Sequence, residues 1–335
     1  MDPVGDLALL ASPDPRARLA AEGRLKAAGP AGIEALTRLL RCDPLPAGFR
    51  ARASELLGSI LHETALAAFT RAVPDPQAPD LWAGAVAIAA EGHPGLDAAA
   101  IDGRLEALVV GAQAAAPAGA PVPDRAQRLT RWLFEEQGFH GDVAAYGDLR
   151  NSYLPDVLER RLGIPVTLSV LWMTLAKRLG MSVAGVGLPL HFVARCEGED
   201  GPFYVDAFHG TVLDREGCRQ LVARAAGREV SLPDRAFQPL RPGEVLTRIL
   251  RNLRASHERS GNLFGALAAV DRILHLSPLD PAGWRERALL LARISRPAAA
   301  ARSLSRSMAL DPAAGDRPVL EGLRRRLQRE AAERN

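Results

Sequence analysis

The sequence predicts an α+β protein that is mainly helical, with a helical N-terminal region, a core holding a small antiparallel sheet, and C-terminal helical repeats. Three observations carry that reading. Hydrophobic residues make up 47% of the 335 and aromatics only 5%, with 30 glycines, which suits close-packed helices of small side chains. An apolar run of helix length, Pro165 to Leu179, is followed by short alternating runs on either side of Glu197-Gly-Glu-Asp200. Ala266, Val270, Leu276 and Pro278 recur 34 residues later as Ala300, Leu304, Leu310 and Pro312.

Taken in chain order, residues 1–75 form the N-terminal helical region. Asp14-Pro15, Asp43-Pro44 and Asp75-Pro76 are each expected to open a helical segment. At a spacing of 32, Ala21, Ala53 and Ala85 match, as do Leu25, Leu57 and Ala89. That spacing fits stacked HEAT-like helix pairs, and an ordinary helical bundle fits it as well. The Pro/Ala-rich stretch 113–123 reads as a linker or surface loop. Asp124 is expected to cap an amphipathic helix with Leu129, Trp132 and Leu133 on one face. The central domain spans 76–240. From 244 to 335 the helices pair, and the second of each pair ends at Leu-Ser-Pro or Leu-Asp-Pro, where proline stops it. Thirty-four residues is the tetratricopeptide period.

Composition narrows the function classes. The formal charge is +3, with basic and acidic residues interspersed and only two lysines, Lys26 and Lys177, so nucleic acid is not an expected partner. The N-terminus lacks the basic and apolar regions of a secretory signal. The uncharged run 162–176 is too short to cross a bilayer, so no membrane association is expected. Cys42, Cys196 and Cys218 are odd in number and far apart, which points to a reduced, cytoplasmic protein without a metal site or other cofactor.

The chemistry concentrates between Asn151 and Phe208. Pro165 suits the first helical position, which puts Thr167 in the first turn, near the positive end of the helix dipole. A thiol there would be activated, whereas a hydroxyl gains far less and needs a strong base. If the hairpin closes through four residues, Glu197 to Asp200, then His191 lies directly opposite Asp206, with Cβ atoms about 4.5–5.5 Å apart. That pairing is the base-plus-orienter half of a triad, or equally a structural pair. Cys196 points to the opposite face of the strand, nothing aims Cys218 at His191, and Ser169 faces away from Thr167. Asn151 could offer its amide to a binding site or cap a helix.

At these residues the chain resembles a known family. Leu133-Phe-Glu-Glu-Gln-Gly-Phe139, Asn151-Ser-Tyr-Leu154, Gly163-Ile-Pro-Val-Thr-Leu-Ser169, Gly187-Leu-Pro-Leu-His-Phe192 and Val205-Asp-Ala-Phe208 look like SirB-type transglutaminase-like proteins, which join such a domain to a tetratricopeptide-type C-terminus. The resemblance covers roughly residues 81–310. It implies a papain-like core and a Cys-His-Asp triad, with His191 and Asp206 at the His and Asp positions. Thr167 falls at the Cys position, where this branch usually carries a hydroxyl, and Leu190 stands where the branch often has glycine. The reading favoured is a transglutaminase-like domain without its catalytic Cys, binding a protein or peptide. The alternatives are a cryptic hydrolase or acyltransferase using Thr167, His191 and Asp206, and a structural scaffold.

Overall fold

Six helix starts are written locally in a capping side chain. Asp14, Asp80, Asp97, Asp214, Asn262 and Asp280 each accept a backbone N–H from the first turn of the helix they precede, satisfying donors that have no intrahelical partner. The computed structural model describes residues 3–42 and 44–333. In order, the helices are α1 (Pro3–Leu9), α2 (Pro15–Ala27), α3 (Pro30–Arg41), α4 (Ala47–Ala72), α5 (Leu81–Ile88), α6 (Ala98–Ala115), α7 (Val122–Arg131), α8 (Leu154–Arg160), α9 (Pro165–Arg178), α10 (Arg215–Ala226), α11 (Pro242–Arg259), α12 (Leu263–Leu276), α13 (Pro281–Arg293), α14 (Pro297–Leu310) and α15 (Arg317–Glu333). The strands are β1 (His140–Gly141), β2 (Leu162–Gly163), β3 (Val183–Val186), β4 (Val193–Gly198), β5 (Gly201–Asp206) and β6 (Thr211–Leu213).

Contacts divide the chain into two compact units, one of residues up to 71, 90–96 and 257 onward, the other of residues 72–89 and 97–256. In the first, α12 and α14 begin and end 34 residues apart, each followed by the proline that stops it, so the tetratricopeptide period is realised as helix pairs. Their core holds Leu267, Val270, Leu274, Leu291, Leu304 and Met308. The long helix α4 lies along α12: the ring of Phe264 occupies the space a Cβ at Gly58 would need, His62 Nε2 is 2.8 Å from Asp271 Oδ2, and Phe69 meets His275 edge-on. Glu91 reaches the same body, bonded to His257 at 2.8 Å and to the fully buried Arg272.

The second unit is built on α9, whose residues Pro165 to Met173 are all buried. Trp172 is fully buried and donates its Nε1–H to Thr130 Oγ1 at 3.1 Å, so its polar atom is satisfied as well as its ring. Against α9 packs an antiparallel sheet of order β3-β4-β5-β6, backed by Leu221, Val222 and Phe237. β1 and β2 form a short parallel pair, which ties the start of α9 to residues 140–142. No helix among the described residues is long and apolar enough to cross a membrane.

Several local expectations are corrected. The β4–β5 hairpin closes through two residues, Glu199 and Asp200, and not four: Gly198 pairs with Gly201 and Ala194 with Val205. The positive φ of this tight reversal falls on Gly201, at +114°, the residue that follows the two-residue turn, where glycine adopts it at least cost. His191 therefore is not opposite Asp206 in the ladder; it precedes β4 in a short loop. Asp124 lies inside the first turn of α7, which starts after Pro121, and Trp132–Glu136 continues as a single wider π turn. Asp75 accepts from Gln77 N–H in a turn, and Asp80 opens the next helix in its place. The helices α2, α3 and α4 have 13, 12 and 26 residues, so the spacing of 32 does not mark equal helix pairs. Asp43 lies outside the described residues.

Asp271 carries a testable load. Its burial would raise the carboxyl, but the hydrogen bond from His62 and the charge and hydrogen bond of Arg287 outweigh that and hold it below the usual range. A depressed carboxyl stabilises the fold above the unfolded value near pH 3.9, and that contribution is lost as pH falls through the folded value. Asp271→Asn is thus expected to lower the urea midpoint at pH 7, and the difference from wild type should shrink below about pH 4. An equal difference at pH 7 and pH 3 would contradict this.

Candidate functional site

The start of α9 is held by Thr167 itself. Ile164 is extended, with φ −97° and ψ 165°, Pro165 takes the first helical position, and Thr167 Oγ1 reaches back to accept the Ile164 N–H at 3.2 Å. The same hydroxyl donates to the Asn151 carbonyl at 2.7 Å, and both residues are fully buried. His191 is not a hydrogen-bond partner of Thr167. The Thr167 hydroxyl serves as a helix cap and a tether to residues 149–152.

Asn151 does not cap a helix. Its Nδ2 donates to Asp142 Oδ2 at 3.1 Å and to the Ala145 carbonyl at 2.8 Å, and its Oδ1 accepts from Arg160 at 3.0 Å. Arg160 also bonds Asp142, closing a buried polar network that fixes the loop from Asp142 to Asn151. Burial would raise the Asp142 carboxyl, yet the Ala145 N–H, the Asn151 amide and the Arg160 guanidinium together bring it below its ordinary range. The network holds the backbone carbonyl that Thr167 needs.

His191 and Asp206 do meet, by a different route from the one the sequence suggests. His191 Nε2 lies 2.8 Å from Asp206 Oδ1, and both side chains are buried. Asp206 ends β5, where the Phe208 N–H donates to its Oδ1 at 3.0 Å. Burial alone would raise this carboxyl; hydrogen bonds and charge from His191 and from His209 overcome that and lower it. His209 Nδ1 stands 2.6 Å from Asp206 Oδ2, with 53% of its side chain exposed. The sequence reading passed over His209, although its place three residues after Asp206 in a turn ending at Gly210 was visible. It also passed over Arg248, whose Nη2 donates to the carbonyls of His191 at 2.7 Å and Leu188 at 3.3 Å. Between those carbonyls Leu190 takes φ +59°, a left-handed conformation that glycine adopts at less cost.

Phe208 joins the parts. Its ring covers Gly141, where any Cβ would collide, and it stands edge-on to His191, His209 and Tyr146. Val143, Tyr146 and Leu190 are exposed apolar side chains on the loops that carry this site. Beside β6 an open groove of about 720 Å³ is lined by Asp124, Arg128, Arg131, Glu135 and Thr211. Cys196 and Cys218 are buried, and burial, with nearby carboxylates adding to it, pushes both thiols up to about 12.

A family profile described as the transglutaminase-like superfamily matches residues 99–251, and one for the tetratricopeptide repeat matches 253–328. A UPF0162 protein of Xylella fastidiosa (strain 9a5c) is 34% identical over 253 residues, covering 74% of this chain and 90% of the relative. The chain belongs to the UPF0162 family. A further member, from Pseudomonas aeruginosa, is 34% identical over 232 residues, 69% of this chain and 85% of its own. The mouse protein named F-box only protein 21 is 32% identical over 138 residues, 38% of this chain and 21% of that protein. No solved structure gives a significant match.

Two outcomes are expected from this geometry. Thr167→Val leaves the Asn151 carbonyl and Ile164 N–H unpaired in the interior, which should cost about 1–3 kcal/mol in denaturant melts, whereas Thr167→Ser should keep most of the stability. Thiol reagents should modify Cys42, which is exposed, in the native chain, and reach Cys196 and Cys218 only after unfolding. Rapid native labelling of Cys196 in β4, or of Cys218 in α10, would show that the sheet and the helix packed on it open more readily than their packing implies.

Proposed function

We propose that this chain carries a SirB-type transglutaminase-like domain that is non-catalytic and binds a protein or peptide in the cytoplasm, with its tetratricopeptide helices as a further interaction element. One observation carries the reading: the hydroxyl in the place of the catalytic thiol is buried and bonded to the Asn151 carbonyl and the Ile164 N–H. A nucleophile needs a base within hydrogen-bond reach, and the hydrogen bonds of Thr167 go to backbone groups instead. A helix-end field adds only about 1 kcal/mol, too little to ionise a hydroxyl near neutral pH. The groove beside β6 and the exposed Val143, Tyr146 and Leu190 supply the mixed polar and apolar surface that an extended peptide chain would use.

The second reading, a cryptic hydrolase or acyltransferase, draws its support from the His191–Asp206 hydrogen bond alone. The two are separated by assaying the purified chain for amine transfer to glutamine peptides and for amide and ester hydrolysis. Wild type is expected to show no turnover above Thr167→Ala or His191→Ala. Thr167→Cys is the variant expected to gain activity first, because it places a thiol at the helix start. Wild-type turnover lost in both alanine variants, with folding intact, would establish the enzyme reading and remove the non-catalytic one.

A further inference from the structure

A triad remnant needs one imidazole on its carboxylate, and this site has two. His191 Nε2 and His209 Nδ1 approach the two oxygens of Asp206 at 2.8 and 2.6 Å, and a ligand-type atom from each residue lies within 4.8 Å of the others. The imidazoles run nearly parallel, with 20° between ring planes and centroids 5.9 Å apart, so both rings present a nitrogen to the same carboxylate. We propose that His191, Asp206 and His209 form a binding site for a divalent transition-metal ion of the Zn2+ type. This inference stands apart from the non-catalytic reading, since its test reads ion binding and not turnover.

Two imidazoles and a carboxylate are a donor set that suits Zn2+, Co2+ or Ni2+ and is too nitrogen-rich for Mg2+ or Ca2+. The groups that would hold the ion are themselves held. Asp206 is fixed at the end of β5 by the Phe208 N–H. His191 is fixed by the Arg248 bond to its carbonyl. His209 sits in the tight turn from Ala207 to Gly210, where Gly210 has φ +67° and a Cβ would press on Phe134. Such outer-sphere partners orient ligands and tune their affinity. Asp206 and His191 present the buried side, while His209 leaves the cluster open to solvent, giving an entry path and a place for water in the remaining coordination positions.

Ligand atoms about 2.0–2.2 Å from a tetrahedral ion stand roughly 3.3 Å apart. On loading, the two hydrogen-bonded pairs, at 2.8 and 2.6 Å, must open by somewhat over half an ångström and the widest-spaced ligand atoms, within 4.8 Å, must close by as much as about 1.5 Å, and the exposed His209 is the side chain with freedom to move. Without an ion, each ring N–H donates to the carboxylate; with one, each ring carries its proton on the other nitrogen and turns the freed lone pair to the ion.

The test is isothermal titration of the full chain, stripped with chelator, against Zn2+ and Co2+ at neutral pH, with the visible d–d absorption of bound Co2+ as a second readout. The expected result is one ion per chain with micromolar or tighter affinity and a nitrogen-ligated Co2+ spectrum. His209→Ala and His209→Gln, whose exposed position makes both foldable, should weaken binding at least a hundredfold and abolish the spectrum, while His93→Ala should leave both unchanged. Asp206→Asn should lose binding as well. Wild type that binds no ion, or binds it no more tightly than His209→Ala, would overturn the site and leave a purely hydrogen-bonded cluster. Either result is read without any activity assay, so it does not bear on whether the domain is catalytic.

Discussion

An α-helix buried on every side cannot find its orientation from amphipathicity, because it has no polar face to turn outward. From Pro165 to Met173 α9 is such a helix, with its exposed Lys177 and Arg178 confined to the last turn, and its placement depends on what grips its ends. At the N-terminus the grip is Thr167, bonded to the Ile164 N–H and to the Asn151 carbonyl. At the C-terminus it is the Leu179 carbonyl, which accepts from Arg125 at 2.6 Å, followed by Gly180 in a left-handed conformation with φ +79°. The strands β3, β4 and β5 then pack on a rod whose rotation and height are already decided. A misplacement of α9 would move the floor of the sheet that carries Asp206.

This gives the Thr167 hydroxyl a use that does not involve bond breaking. Asn151 can offer its carbonyl only because its side chain is locked between Asp142, Ala145 and Arg160. A polar network of this kind is costly unless every member is satisfied, and here the members satisfy one another. The Asp142–Arg160–Asn151 cluster is thus an anchor for the helix start, reached through one backbone carbonyl. A sequence reading that treats Asn151 as a possible binding amide sees the right residue and the wrong atom.

The sequence disclosed the architecture where a rule is local or periodic. The recurrence of 34 fixed α12 and α14, and Pro165 and Gly180 bracketed α9, because a missing N–H and a positive φ leave their marks in residue type. The hairpin register was misread by two residues, since Glu197-Gly-Glu-Asp200 can be a loop of four or the end of a strand and a turn of two. The His191–Asp206 contact survived that error for a geometric reason: a shift of two keeps a residue on the same face of a strand, whereas a shift of one would have reversed it. What could not be read was the second partner of Asp206. His209 lies in a turn, where the periods of helix and strand say nothing about direction.

The loop that carries His191 shows why proximity alone does not make a site. Leaving β3, the chain must turn within Gly187 to His191 before β4 begins, and Leu190 meets that demand at φ +59°. A leucine there is strained by roughly 1–2 kcal/mol relative to an ordinary conformation, and its exposed side chain recovers nothing by burial. Strain of this size persists only where the surroundings over-determine the backbone. Arg248 supplies that determination, clasping the carbonyls on both sides of Leu190 from a helix 57 residues further along the chain. The imidazole of His191 therefore owes its position to a guanidinium that no local pattern connects to it, and the loop can keep a residue that its backbone angle does not favour.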